Sequence, residues 1–441
     1  MKNRTDIPVI DYASRAGRKY LRTLLSLRQA QDESVAARVA AVISEIRSRG
    51  DAALFAQTER FDRVKLTPRN VRINQTEIAS RARQVSPVLA RTMREAFKRI
   101  SAFHSKQKPV GFTLTTGEGT LSQIYRPLRR VAVYVPGGHT VYPSSVLMNV
   151  IPARIAGVEE IVVVTPPRGR LDPGIAYAFK LCAVTEAYRV GGAQAIAALA
   201  YGTKTIKPVD KIVGPGNAYV AAAKRQVYGT VDIDSVAGPS EVVICADGSV
   251  SPEWVALDLL AQAEHGSGDE FAVCITEDPF FARAIASATE KAIDASPVRE
   301  TLLKLPASAI TVFHTGSRSE SIAIVNAFAP EHLQIMTKTA AQDLKYIRNA
   351  AAIFLGRYTP VALGDYFIGT NHVLPTGGAA RFASPLGVES FMKRMSVAKV
   401  GAAGLKKTAP YVSTFARAEK FVHHAMSVEQ RAGLRPRKGS G

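Results

Sequence analysis

From residue 131 onward the chain alternates short, uniformly apolar runs with longer segments whose apolar residues recur every three or four positions. Val131-Ala-Val-Tyr-Val135 runs straight into Pro136-Gly137-Gly138, which is the length and the stop of a strand covered on both faces. The helix-like segment SSVLMNVIPARIAGV follows, then the apolar run Ile161-Val-Val-Val-Thr165 and a Pro-Pro-Arg-Gly turn. Two strands joined by one crossover helix pair in parallel, and a parallel sheet has to be covered by helices on both faces.

The alternation continues with a helix near Gly174 to Thr185, a strand into Arg189-Val-Gly-Gly-Ala-Gln194, the helix AIAALAYGT, and a strand at Lys211-Ile-Val213. The loop Gly214-Pro-Gly-Asn217 then opens the helix AYVAAAKRQVYG. EVVICA, FAVCIT, ASAITVFHT and AAAIFLG predict a second set of strands separated by helices. The fold class predicted is therefore α/β, with two Rossmann-like parallel-sheet domains between helical N-terminal and C-terminal segments. No repeat is visible residue by residue, yet duplication of one α/β unit would produce two such regions. The N-terminal pattern, from Thr5 to about Phe112, is helical, and from about residue 381 helix returns and ends in STFARAEKFVHHAMSVEQR. The basic Gly- and Ser-containing tail beyond it is expected to be disordered.

At 441 residues, 46% hydrophobic and 21% charged, the chain can bury ordinary cores in two or three domains without staples. Cys182, Cys245 and Cys274 lie in apolar runs with no CxxC spacing, which predicts buried thiols in a reducing compartment. No apolar leader and no run of about 18 apolar residues appears, so no membrane span and a cytoplasmic location are expected. The formal charge of +20 raises the question of nucleic acid, but the cations are scattered, with small clusters only at Arg126–Arg130 and Arg435–Lys438. Without aromatic and basic residues interleaved there is no base-stacking platform, and no nucleic-acid partner is expected.

The candidate chemistry lies in a few polar residues set in apolar surroundings. In Asp258-Leu-Leu-Ala-Gln-Ala-Glu-His265 a helical conformation would put Gln262 and His265 on one face, where imidazole nitrogen and amide oxygen are both available to zinc. Two donors do not complete a site, and a lone histidine is ordinarily a hydrogen-bonded structural residue. Further donors stand at Glu331-His332, at Asp365, and at Glu419 with His423 and His424, the last three spaced on one terminal helix, with His372 in reserve. Glu331 after Pro330 would equally suit the first turn of a helix. GPGNAY lacks the third glycine of a dinucleotide fingerprint, so its backbone amides are either a phosphate cradle or a plain tight turn.

Seven segments in order carry a resemblance: YVPGGxxxYPSSVLMN (134–149), VGGAQAIAALAYGT (190–203), VDKIVGPGNAYVAAAKRQV (209–227), AGPSEV (237–242), LLAQAEH (259–265), FAPEHLQI (328–335) and LGDYFIGTNHVLPTGGAARFASPLGV (363–388). Together, over about residues 30 to 430, the chain closely resembles the histidinol dehydrogenases, which complete histidine biosynthesis. The resemblance implies zinc held by Gln262, His265, Asp365 and His424, the last reaching in from the partner subunit of a homodimer with shared active sites. It favours His424 over His423, which spacing alone leaves open. It implies an acid–base pair at Glu331 and His332, substrate contacts at Ser240 and Glu419 besides His332 and the zinc ligands, and NAD contacts at Tyr134, Gln194 and Asn217.

The implied reaction is two oxidations in one site, alcohol to aldehyde and hydrated aldehyde to carboxylate, each passing a hydride to NAD. On this reading residues 1–130 are a helical region packing on the catalytic domain, 131–236 the NAD-binding domain, 237–380 the catalytic and zinc-binding domain, and 381–441 a helical segment contributing to the dimer and the partner's site. His139, Ser235-Val236 and Gly266-Ser-Gly-Asp269 differ from the commonest family pattern. The alternative is a dehydrogenase of the same scaffold acting on another small polar alcohol, such as a sulfonated diol.

Overall fold

The computed structural model describes residues 6–28, 33–137, 141–167, 169–236, 238–265 and 268–434. His139, Gly266 and the basic tail from Arg435 lie outside them. The described residues form two compact units, one within 1–107 and 129–391, the other within 108–128 and 392–441.

The larger unit contains two parallel sheets. The first has the order β6 (Glu186–Tyr188), β5 (Glu160–Val164), β4 (Arg130–Tyr134), β7 (Lys211–Val213), β8 (Asp232–Ile233). The second runs β1 (Val9–Asp11), β11 (Ile310–His314), β10 (Phe271–Thr276), β9 (Glu241–Ala246), β12 (His332–Met336), β13 (Ala352–Leu355). Without β1, the second sheet repeats the first: its third, second, first, fourth and fifth strands in sequence lie side by side in that order. The expected pair of Rossmann-like sheets is present, and the shared order agrees with duplication of one unit.

Both sheets are covered on two faces, which is why their strands are apolar throughout instead of alternating. Along β9, Val242 and Ile244 face a core shared with Leu259 and Ile285, from helices Pro252–Ala263 and Pro279–Asp294. Val243 faces the opposite core, with Leu24, Ile324 and Phe328. Each such side chain contributes about 1.5–3 kcal/mol when withdrawn from water. In the first sheet Ala132, Val162 and Ile212 pack against helices Glu33–Arg49, Gly192–Tyr201 and Ala218–Val227.

Three expectations require correction. The N-terminal region is not wholly helical, since Val9–Asp11 forms the edge strand β1, its ends tied by hydrogen bonds from Val312 N–H to Pro8 O and from Tyr12 N–H to His314 O, both 2.9 Å. The segment after residue 381 does not return directly to helix. Met392–Val400 is a nine-residue strand, β14, paired antiparallel along the whole of β3 (Gly119–Pro127), with β2 (Phe112–Thr115) on the other side. The terminal helix is also broken: helix Ala402–Ala418 ends at Glu419, Lys420 turns left-handed at φ +64°, and a new helix begins at Val422. Phe421 N–H closes that turn on Ala416 O at 2.8 Å. Among the described residues no helix is long and apolar enough to cross a membrane.

Candidate active site

At the amino ends of two adjacent strands of the six-stranded sheet, β9 and β12, stand Glu241 and His332, with Glu331 immediately before His332. All three are buried. Glu241 holds both neighbours through its main chain: its N–H donates to Glu331 Oε2 at 2.8 Å, and its carbonyl lies 3.0 Å from His332 Nδ1. A carbonyl only accepts, so Nδ1 carries a proton in either charge state, and in the neutral imidazole the lone pair is on Nε2. That Nε2 is buried and has no hydrogen-bond partner, although Asp365 Oδ1 lies 3.5 Å away.

The charges in this cluster are coupled. Burial pushes Glu331 up to about 7, against the pull of His332. Burial alone would lower His332, but the carboxylates of Glu331, 3.6 Å from Nδ1, and of Asp365 overcome it and hold the imidazole up at about 9. Asp365 is raised by burial, yet His332, then His372 and His265, hold it below the usual carboxylate range. Five titratable side chains thus influence one another at a single edge of the sheet.

The metal candidates of this unit approach the same edge. Helix Pro252–Ala263 is opened by Ser251, which accepts from Glu253 N–H, and it runs back to the amino end of the sheet. Gln262, in its last turn, is buried and its Nε2 has no partner. The helix stops before His265, so the pair does not share a helical face; His265 instead folds back, with Nδ1 3.1 Å from Gln262 O. Ser240 directly precedes β9, its carbonyl accepting from Phe271 N–H at 3.2 Å. Among the described residues no three His, Cys, Asp or Glu side chains gather closely enough to hold a metal by themselves. Glu419 and His424 belong to the smaller unit, where with Tyr411, Phe415 and Phe421 they line a cavity of about 410 Å³. His423 is exposed.

The three residues expected to contact NAD stand at the carboxyl end of the five-stranded sheet. Tyr134 ends β4, and its hydroxyl accepts from Gly192 N–H at 3.2 Å, at the start of the helix that carries Gln194. Burial pushes the Tyr134 phenol up to about 12, so it acts as a neutral hydrogen-bonding group. Asn217 caps the helix Ala218–Val227 with Oδ1. Tyr134 and Asn217 flank the point between β4 and β7 where strand order reverses, the usual crevice for a ligand in an open α/β sheet. Gly214 makes this approach feasible: at φ +109°, a Cβ there would stand 2.2 Å from Tyr134 O. Its loop is pinned by Lys224 Nζ to Gly214 O at 2.9 Å and by Gly214 N–H to Asp234 Oδ2 at 2.7 Å, with Lys224 and Asp234 themselves in contact.

A polar bridge joins the two regions. His372 Nδ1 donates to Asp365 O at 2.9 Å, leaving Nε2 to accept from Ser145 Oγ at 3.5 Å. Ser145 lies in the first turn of helix Pro143–Ala156, which follows β4. Asn371 reinforces the contact through Nδ2, 2.7 Å from Met148 O. The carboxyl edge of one sheet therefore faces the amino edge of the other, which accounts for candidate residues at opposite strand ends. Sequence reasoning missed Ser145 and Glu241; the only signal for the latter is a carboxylate opening an otherwise apolar strand.

The family description "Histidinol dehydrogenase" matches residues 25–432. The chain is 48% identical over 411 residues to a histidinol dehydrogenase of Gluconobacter oxydans (strain 621H), covering 93% of this chain and 95% of that protein. It is 46% identical over 402 residues to one of Moorella thermoacetica (strain ATCC 39073 / JCM 9320), covering 90% and 95%. The crystal structure of histidinol dehydrogenase from Elizabethkingia anophelis superposes with a TM-score of 0.89 at 33% identity, covering 98% of this chain and 99% of that one. With motifs, strand order and whole-length similarity in agreement, the chain belongs to the histidinol dehydrogenase family.

Proposed function

We propose that this chain oxidises L-histidinol through L-histidinal to L-histidine, the last step of histidine biosynthesis, as a cytoplasmic homodimer with shared active sites. The observation that carries the reading is the unpartnered Nε2 of His332 beside a second buried carboxyl, Glu331, in a chain of this family. His332 is tethered at Nδ1–H, so Nε2 is the atom that takes the alcohol proton in the first oxidation. It becomes a base as the charge of Asp365 is engaged elsewhere, because the carboxylates of Glu331 and Asp365 together hold the imidazole protonated. Glu331, raised by burial towards neutrality, takes a proton from the water that hydrates the aldehyde before the second oxidation.

The donors of this chain fit zinc: the buried, unpartnered amide of Gln262, the imidazole of His265 and the carboxylate of Asp365, with a further place that we give to the partner subunit's His424. Zinc bound there would orient the imidazole and amine of the substrate, and NAD would accept one hydride in each oxidation. Tyr134, Gln194 and Asn217 would hold the dinucleotide at the strand-order reversal. Ser240, beside the Glu241 peptide, and Glu419 would contact substrate.

The test is NADH formed per L-histidinol consumed at completion, with and without a zinc chelator. Two NADH per substrate, lost on chelation and restored by zinc, is the expected result. One NADH would remove the role given to Glu331, and none would redirect the reading to another small polar alcohol such as a sulfonated diol.

A further inference from the structure

Arg28, from the N-terminal segment, is buried against Glu241. Its Nε donates to Glu241 Oε1 at 2.7 Å and its Nη2 contacts Oε2, a two-point engagement that fixes the carboxylate plane. Nη1 donates to Phe328 O at 2.6 Å, and the guanidinium lies 4.0 Å over the Phe328 ring. Phe328 ends the helix that leads into Glu331 and His332. The remaining side of the carboxylate accepts from Gly377 N–H at 3.1 Å. Gly377 stands at φ +64°, in the left-handed region that favours glycine.

The ladder between β9 and β12 starts at His332 opposite Val242, one residue beyond Glu241. The N–H and the carbonyl of Glu241, on the two peptides that flank its Cα, bind Glu331 and His332, while its side chain is held by Arg28 and Gly377. We propose that Arg28 and Glu241 are positioning residues for the acid–base pair: their buried ion pair anchors the Glu241 main chain, whose N–H and carbonyl set where Glu331 Oε2 and His332 Nε2 stand. The role rests on the reaction proposed above. Neither side chain touches the reacting atoms, so a fault in the pair disturbs turnover more than substrate affinity.

The test uses the full-length, zinc-loaded protein. Glu241→Gln keeps shape and an acceptor while removing the charge, so a folded protein is expected with kcat lowered roughly 10- to 100-fold and KM within about 3-fold. Arg28→Ala leaves a space for a small cation. Ethylguanidinium at millimolar concentration should restore its kcat saturably, whereas ethylammonium, without the planar fork, should not. Unchanged kcat in folded Glu241→Gln, or losses in both variants that merely follow the folded fraction, would overturn the proposal. A wild-type chain that reduces no NAD with histidinol would instead sink the assigned reaction itself.

Discussion

Replacing His332 with asparagine separates the two functions of the imidazole. The Asn amide can still donate to Glu241 O, taking over the 3.0 Å tether of Nδ1, but nothing replaces Nε2. A positioned base contributes about 10²–10⁴ in rate, or about 3–5 kcal/mol of barrier. The fold should lose much less: the ring packs 6.2 Å from Phe354, and forfeiting that contact costs about 1 kcal/mol. Steady-state kinetics at saturating NAD should show kcat and kcat/KM falling together, with zinc content by metal analysis unchanged. Activity within about threefold of wild type in a folded, metal-loaded variant would refute the assignment of His332 as the base.

Mixing His265→Ala with His424→Ala, each inactive alone, should restore about a quarter of wild-type activity, because random exchange between symmetric dimers leaves one intact site in half of them; proven exchange without recovery would refute shared sites. Lys224→Met strands Asp234 in a buried position and should lower stability by about 3–5 kcal/mol, measured by urea unfolding, and raise the KM for NAD through the Gly214 loop. His332 lies at about 9, above its unfolded value of 6.5, so in metal-free protein its contribution to stability is complete below 6.5 and lost as pH rises through 9. Urea midpoints should therefore fall between about pH 6 and about pH 9.5, by at most roughly 3 kcal/mol of stability, and the His332→Asn slope should be flatter; equal midpoints for wild type would contradict the shift.

The parallel sheets were legible because VAVYV, IVVVT, EVVICA and FAVCIT are buried on both faces, and uniform hydrophobicity is the signature of that environment. The strand Met392–Val400 was not. Most of its side chains are exposed and Lys393, Arg394 and Lys399 suit a helix as well, so its conformation follows from pairing with β3. Val9–Asp11 is too short to carry a period, and the break at Lys420 is a left-handed turn without glycine. In the site, Glu331, His332 and Asp365 stood out as polar groups in apolar or glycine-rich runs, and the structure brings them together. Glu241 did not, because it works through a peptide N–H and carbonyl, which nearly every residue possesses.

Among the described residues the edge strand Val9–Asp11 pairs with Ile310–His314 alone. On a ribosome adding 5–20 residues per second, the intervening stretch of about 300 residues takes roughly 15–60 s to synthesise. The five-stranded sheet, complete by Ile233, can close during that interval while the first strand still lacks its neighbour. The opening segment is thus made first and docked late, and Arg28, which follows it, reaches Glu241 only when the second half of the chain has emerged. A nascent chain stalled before residue 310 should therefore protect the amides of β4 to β8 from hydrogen exchange but not those of β1.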